Sequence, residues 1–516
     1  MSRRLSNKYY WILTFIILHF FHYLDYVNYN PTIGGQLSNV IVLLLIVYVL
    51  TRKIDISNAV SYKYVLYFML VPMLSIIPCY LDRGQSLFIS FRAFMPSGIW
   101  LLYFFLQDKK FNADKVVKVI LIIAFLRIGI TFVEQFTYPV YYFANRTDIE
   151  LENGIIREVE IRSGFRRYLI SDTFFSMFAI FFYYQKLIER HKKKIIWLIL
   201  FLIACFGLYM DQSRQFLAST VGSIAILSIF SSKYGLGGKI AFIALIVGIY
   251  VGYNFLFSEL ASKTTEELND DNIRVASYAF YLFDYWGGPL SIIFGNGLPG
   301  STSDYGIEIQ KLETTLHFYR SDVGIVGALN IGGICTVLVF FFYYFKVVRK
   351  NWSYMELYQQ LFLISALLNI PLIFPITQGT HYKCFWAILL FIIDRTIYKK
   401  NTIHKFHKIY GWLKKIGLVD FYKSIISSKE LSLFFVMRAD VFKEPWLNKS
   451  TIPVIIDFWL NDSELPSFYE AYKDCPLVLI TSAEVVEYLK TKNCPLKIEH
   501  WPLSIPDYMK PDRKEN

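Results

Sequence analysis

Charge is scarce in this sequence. Asp, Glu, Lys and Arg make up 18% of its 516 residues, against roughly a quarter in soluble domains, which excludes an ordinary soluble protein. Cysteine is scarce as well. Cys79, Cys205, Cys335 and Cys384 lie in apolar runs, and Cys475 and Cys494 stand far apart in a polar tail. Without CxxC or paired His spacing there is no tetrahedral metal site and no disulfide framework, so reduced structural thiols are expected. A dinucleotide glycine fingerprint, a Walker loop, a zincin motif and a nucleophile elbow are all missing. Internal repeats are also missing, and Asp270-Asp271 is too little for a catalytic metal.

What is present is apolar length. Hydrophobic residues reach 55% and aromatics 18%, with a mean hydropathy of +0.38. A membrane-spanning helix needs about 20 mostly apolar residues. Twelve candidate runs occur, at 9–26, 33–50, 64–80, 87–106, 116–133, 168–184, 195–210, 216–230, 240–256, 323–345, 358–374 and 384–398. The expected fold is an all-α polytopic membrane protein of about twelve spans, with a small cytoplasmic α/β tail. The basic start and the run 9–26 read as a first span, because no small-residue cleavage site follows.

The net charge of +12 has to be located before it is interpreted, because cytoplasmic loops of membrane proteins are basic. Alternate loops carry Arg52 and Lys53; Lys109, Lys110 and Lys115; Lys186, Arg190 and Lys192 to Lys194; Lys233 and Lys239; and Lys346, Arg349 and Lys350. All fall on the side of the N-terminus and of Lys399, Lys400, Lys405 and Lys408, so both termini are expected in the cytoplasm. The stretch 278–294 contains Asp284 and Gly287-Gly288-Pro289. Counting it as a span would invert the charge pattern, so it reads as an interfacial helix and turn outside.

Two outer loops stand apart, 134–167 and 258–322. Their basic residues are mostly arginine, among them Arg146, Arg157, Arg162, Arg166 and Arg167. Lysine suffices for orientation, whereas the planar guanidinium fork suits carboxylate or phosphate. Beyond 398 a basic amphipathic linker, 399–425, leads into 426–516. There apolar runs at 433–436, 454–458, 477–480 and 498–501 alternate with a helical pattern at 483–490.

Topology also sorts the titratable residues. His317 ends the longest outer loop, beside Arg320 and Asp322 and ahead of a glycine-rich span; it suits a general base or a solvated loop histidine. His381 is the weaker candidate. Arg214 sits at a tight outer turn, as a ligand or as a snorkelling anchor. Arg274 precedes FGNG, as a ligand or as the partner of Asp270 or Asp271. Arg92 and Arg127 lie inside spans and are expected to face the bundle interior and find partners.

Taken in order, Arg162-Ser-Gly164-Phe165, Gln212-Ser-Arg214-Gln215, Arg274 upstream of Phe294-Gly295-Asn296-Gly297, and His317 ahead of Gly324-Ile-Val-Gly327 resemble the O-antigen polymerase and ligase superfamily of integral membrane glycosyltransferases. Members often carry asparagine after the histidine, where Phe318 stands here. The resemblance covers about residues 1 to 400. The tail is similar to the acceptor-side half of a cytoplasmic glycosyltransferase of the two-Rossmann-domain type, without the donor-binding half.

The resemblance implies polymerisation of polyprenyl-diphosphate-linked oligosaccharide repeats into O-antigen or capsular polysaccharide, on the outer face of a bacterial inner membrane. It implies an inverting transfer with no cofactor and no metal, and no nucleic acid among the partners. His317 would be the catalytic base, with Arg214, Arg274, Arg320, Arg162 and Arg166 binding diphosphate. Implied partners are the lipid-linked oligosaccharide, the bilayer, a flippase, a chain-length regulator and cytoplasmic glycosyltransferases. The rival readings are a ligase acting on lipid A core and a lipid-linked oligosaccharide flippase.

Overall fold

In the computed structural model the described residues are 7–23, 31–54, 56, 59–109, 111–137, 161–162, 165–166, 173–189, 194–211, 213–230, 273–415, 432–438, 447, 451–458 and 460–501. The expected span 240–256, most of the loop 134–167 and residues 258–272 of the second outer loop lie outside them. The chain divides into two compact units, Met1–Thr402 and Ile403–Asn516.

The first unit is helical. Its helices are α1 (Asn7–Phe20), α2 (Pro31–Thr51), α3 (Tyr62–Arg83), α4 (Leu87–Asp108), α5 (Ala113–Thr137), α6 (Thr173–Ile188), α7 (Lys194–Met210) and α8 (Arg214–Phe230). Between α5 and α6 lie the short strands β1 (Ile161–Arg162) and β2 (Phe165–Arg166), and after α8 come α9 (Ile273–Ala279, continued by a π turn Phe280–Asp284), α10 (Pro289–Phe294), α11 (Asp304–Thr315), α12 (Arg320–Tyr354), α13 (Leu357–Asn369) and α14 (Thr380–Lys415), whose residues beyond Thr402 belong to the second unit. Four of these, α3, α4, α5 and α12, are long and apolar enough to cross a membrane. Gly35–Thr51, Lys194–Met210 and Gln215–Ile229 are shorter apolar helices. Among the described residues the twelve expected runs thus give four helices of full spanning length, within an all-α, membrane-type unit.

Two of the long helices are interrupted, each for a local reason. In α3, Pro72 lacks the N–H that would continue the ladder; the helix breaks at Leu74-Ser75, where the Ser75 hydroxyl donates to the Pro72 carbonyl at 2.6 Å. The second piece ends at Arg83 because Gly84 adopts a left-handed cap, φ 67°. In α12 the break is at Gly333, φ 69°, ψ −179°.

Aromatic and aliphatic side chains of α1, α4 to α6, α12, α13 and α14 form one continuous core, with Trp100, Tyr103, Phe175, Phe178, Tyr343 and Trp386 buried in it. Arg127 is also buried, paired with Asp211 and donating to Ser176 Oγ at 2.9 Å, which ties α5 to α6 and to the end of α7. Arg92 departs from expectation. It is exposed near the start of α4, where a long side chain can extend along the helix toward polar surroundings.

The second unit contains β3 (Ser432–Arg438), β4 (Thr451–Asp457), α15 (Leu465–Tyr472), β5 (Val478–Ile480), α16 (Ala483–Thr491) and β6 (Ile498–His500). The four strands form a parallel sheet in sequential order. One face packs Ile455, Val478 and Ile480 against Phe468, Tyr472, Val486 and Leu489 of the two helices. Ile452, Val454, Leu477 and Leu479 form a second cluster, joined by Trp501. Burial on both faces explains the continuous apolar runs. Ligands of open α/β sheets bind where the strand order reverses, and among the described strands it does not reverse.

Candidate functional site

The site is built on the break in α12. Gly295 and Gly333, both at positive φ, let the segment after α10 lie directly on the interrupted helix. A Cβ on Gly295 would fall 2.2 Å from the Ile331 carbonyl oxygen, and one on Gly333 2.1 Å from that of Ile293. The backbone groups freed by the break are paired across this contact. Asn296 N–H donates to the Asn330 carbonyl at 2.7 Å and Gly297 N–H to that of Ile331 at 3.0 Å. Unwound backbone at such a position is tolerated where other groups satisfy it.

Two buried asparagines hold the preceding turn. Asn296 Nδ2 and Asn330 Nδ2 both donate to the Tyr285 carbonyl, at 2.9 and 2.8 Å, while Asn296 Oδ1 accepts from Gly287 N–H at 3.1 Å. Around this frame Tyr281, Tyr285 and Tyr305 pack with Cys79, Ile309, Val323 and Val326. Burial pushes the Tyr281 hydroxyl up to about 12 and raises Tyr285 and Tyr305 as well. All three therefore stay neutral hydrogen-bond donors at physiological pH.

Arg320 is buried in this cluster. One guanidinium nitrogen donates to the Gly297 carbonyl at 3.2 Å and to the Tyr305 hydroxyl at 2.9 Å. A second arginine, Arg83, reaches it from the end of α3. Its guanidinium lies over the Tyr285 ring, 4.2 Å from the centroid; its Nε donates to Asn296 Oδ1 at 3.4 Å, and Nη1 is 3.8 Å from Glu308 Oε1. Gln85 fixes the turn after Arg83 to the same loop. Its Nε2 donates to the Leu298 carbonyl at 3.0 Å, and its Oε1 accepts from Gly300 N–H at 2.7 Å and the Ser303 hydroxyl at 2.6 Å.

His317 follows α11 in the left-handed region, φ 56°, and is exposed. Its neighbour is pinned: Phe318 N–H donates to the Leu312 carbonyl, the Phe318 carbonyl accepts from Tyr281 Oη at 2.8 Å, and its ring lies 5.3 Å from Phe280. Phe318 thereby anchors the loop that presents His317. Arg274 is exposed on α9, within electrostatic reach of Tyr278, and α9 packs on the 320–323 turn. The elements carrying Arg274, His317 and Arg320 are therefore neighbours, although only Arg320 enters the buried cluster.

The remaining expected ligands are placed by backbone alone. Arg214 opens α8. Arg162 and Arg166 lie in β1 (Ile161–Arg162) and β2 (Phe165–Arg166), paired antiparallel, with Phe165 packed 5.7 Å from Tyr209 and 6.0 Å from Phe206. The side chains of Arg162, Arg166 and Arg214 lie outside the described residues.

No family model and no curated protein sequence matches this chain. The functional reading therefore rests on the residues themselves. Among the described residues no three His, Cys, Asp or Glu side chains gather into a metal cluster. Sequence reasoning missed Arg83, Gln85, Tyr285 and Tyr305. The available signal was Arg83-Gly84 at the end of a proline-broken apolar run, which marks an arginine held by a helix cap.

Proposed function

We propose that this protein is an integral membrane glycosyltransferase that polymerises glycan repeats carried on a polyprenyl diphosphate at the outer face of a bacterial cytoplasmic membrane. The observation that carries the reading is Arg320, buried and hydrogen-bonded to the Gly297 carbonyl in the glycine turn. A fixed guanidinium at a broken helix is suited to stabilising charge that develops on a diphosphate leaving group. In this reading about twelve helices span the bilayer, both termini are cytoplasmic, and residues 426–516 form a cytoplasmic module without independent catalysis.

The acceptor hydroxyl attacks the anomeric carbon. Its proton passes to the His317 imidazole as the bond from that carbon to the diphosphate oxygen breaks, inverting the centre in one displacement. Exposure of His317 supports this role, since an acceptor glycan must reach it from water. Arg320 stabilises the departing diphosphate, with Arg274, Arg214, Arg162 and Arg166 as further ligands of the carrier. Nucleotide motifs are not required on this face, because the donor is already lipid-linked.

The test is the length and location of lipid-linked glycan in cells lacking the protein and in cells carrying His317→Ala or Arg320→Gln at normal membrane levels. Single repeats on the carrier, on the outer face, are expected in all three. Full-length polymer retained on the carrier would replace this reading with ligation to lipid A core, and repeats trapped on the cytoplasmic face would replace it with flipping.

A further inference from the structure

Arg83 is not satisfied by the fold that holds it. Its Nη2 is buried with no hydrogen-bond partner, and the hydroxyl of Tyr285, whose ring the guanidinium covers, has only Glu308 in reach. Glu308 is the carboxylate in reach of both groups. It stands 3.8 Å from Nη1, too far for a hydrogen bond, and its side chain is 48% exposed against 14% for Arg83. Arg320 lies near the same tyrosine, Tyr305; the two guanidinium carbons are 5.7 and 5.8 Å from the ring centroid. Two guanidinium groups thus share one tyrosine as a neighbour. The other carboxylates nearby are Glu313, within electrostatic reach of Arg320, and Asp82, which lies against Gly287 and Gly288.

Two like charges held this close, one of them buried and the other with a buried unpaired donor, are costly to retain unless an anion completes them. We propose that Arg83 and Tyr285, with Arg320 hydrogen-bonded to the neighbouring Tyr305, form a phosphoanion pocket in which Glu308 is a displaceable counter-ion. A phosphate oxygen accepts from Arg83 Nη2 and from the Tyr285 hydroxyl, while a second takes the Nη1 position that Glu308 screens. Glu308 sits on the half-exposed side of α11, so it moves into water without unpacking the helix. The planar fork of arginine fits two oxygens of one phosphate, which a lysine would meet only as a point charge. That the phosphoanion belongs to a carrier-lipid diphosphate rests on the function proposed above; the pocket chemistry does not.

The experiment uses the full chain in nanodiscs of zwitterionic lipid, titrated with inorganic diphosphate. Wild type is expected to bind, Arg83→Gln to bind at least tenfold more weakly, Arg83→Lys to fall between, and Glu308→Gln to bind several-fold more tightly. Tyr285→Phe keeps the stacking ring and removes only the hydroxyl, so it is expected to bind several-fold more weakly even if Arg83→Gln does not fold. Wild-type affinity in Tyr285→Phe or Arg83→Lys, or weaker binding in Glu308→Gln, overturns the pocket. Displacement of diphosphate by polyprenyl diphosphate supports the carrier assignment. Displacement by phosphatidylglycerol discs alone overturns that assignment and leaves a headgroup site. Arg83-dependent binding together with wild-type polymer length in Arg83→Gln cells would keep the pocket and sever it from polymerisation.

Discussion

The Ser303 hydroxyl donates to Gln85 Oε1 at 2.6 Å, joining the cap of α3 to the start of α11 across more than two hundred residues of chain. Gln85 is 1% exposed, and its amide also serves Gly300, Leu298 and Ser90. Gln85→Ala strands these buried groups, and each unsatisfied buried group costs about 1–3 kcal/mol. Thermal unfolding in detergent should show a clear loss of stability in Gln85→Ala. Diphosphate affinity should fall with it, because Arg83 is two residues away.

The glycine contact at the α12 break gives a graded prediction. Gly295→Ala must overcome both a positive φ and a backbone oxygen 2.2 Å from the new Cβ, so the turn has to separate from the helix. Gly84→Ala shares the positive φ but meets nothing within 4 Å, and its cost is about 1–2 kcal/mol. Expression and unfolding midpoint should rank wild type, Gly84→Ala, Gly295→Ala in descending order. Equal effects would show that φ alone matters.

His317 occupies a left-handed position that glycine adopts without strain. His317→Gly relieves about 1–2 kcal/mol of left-handed strain and gives back about 0.4–1 kcal/mol through the freer unfolded chain, so it should be at least as stable as wild type while eliminating polymer. A variant that is both stable and active would remove His317 from the chemistry.

Arg127 and Asp211 predict a cycle. Losing one member of a buried ion pair costs about 3–5 kcal/mol, whereas replacing both by apolar residues is often neutral. Arg127→Met and Asp211→Leu should each lower the amount of folded protein in the membrane, and the double variant should recover most of it. Equal loss in the double variant would mean that the pair is not the tie between α5 and α7.

Glu313 sets a pH dependence. Burial raises its pKa, with Arg320 opposing and Asp322 adding to the rise. A carboxyl whose folded pKa is raised stabilises the fold below its unfolded pKa and loses that contribution as pH rises through the folded value. Glu313→Gln should accordingly increase the unfolding midpoint at pH 7 and leave it unchanged near pH 4. An increase at both values would point to packing instead of ionisation.

Much of the framework was legible because it is written in runs of one character. The stretch 454–458 overlaps the second half of β4 and 477–480 covers β5, 483–490 lies within α16, and the need of Arg127 for a partner follows from its place in an apolar run. The site was less legible. Arg320 stands close to His317 in the sequence and is legible there, whereas Arg83 is marked only by the Gly84 that follows it. Gly295 meets Ile331 within one stretch of chain, but the pairing of Gln85 with Ser303 brings segments more than two hundred positions apart to the same place. Arg92 misled because helix position does not say which way a long side chain runs.

The break at Pro72 divides α3 into two mechanical parts. Tyr62–Met73 packs with α12 and with the turn Met95–Leu101, whereas the piece ending at Arg83 packs against α10 and the start of α4. Arg83 therefore travels with the glycine turn as cargo, not as the rigid tip of a rod. A displacement of Tyr62–Met73 has to pass through the break at Leu74-Ser75 before it reaches the guanidinium.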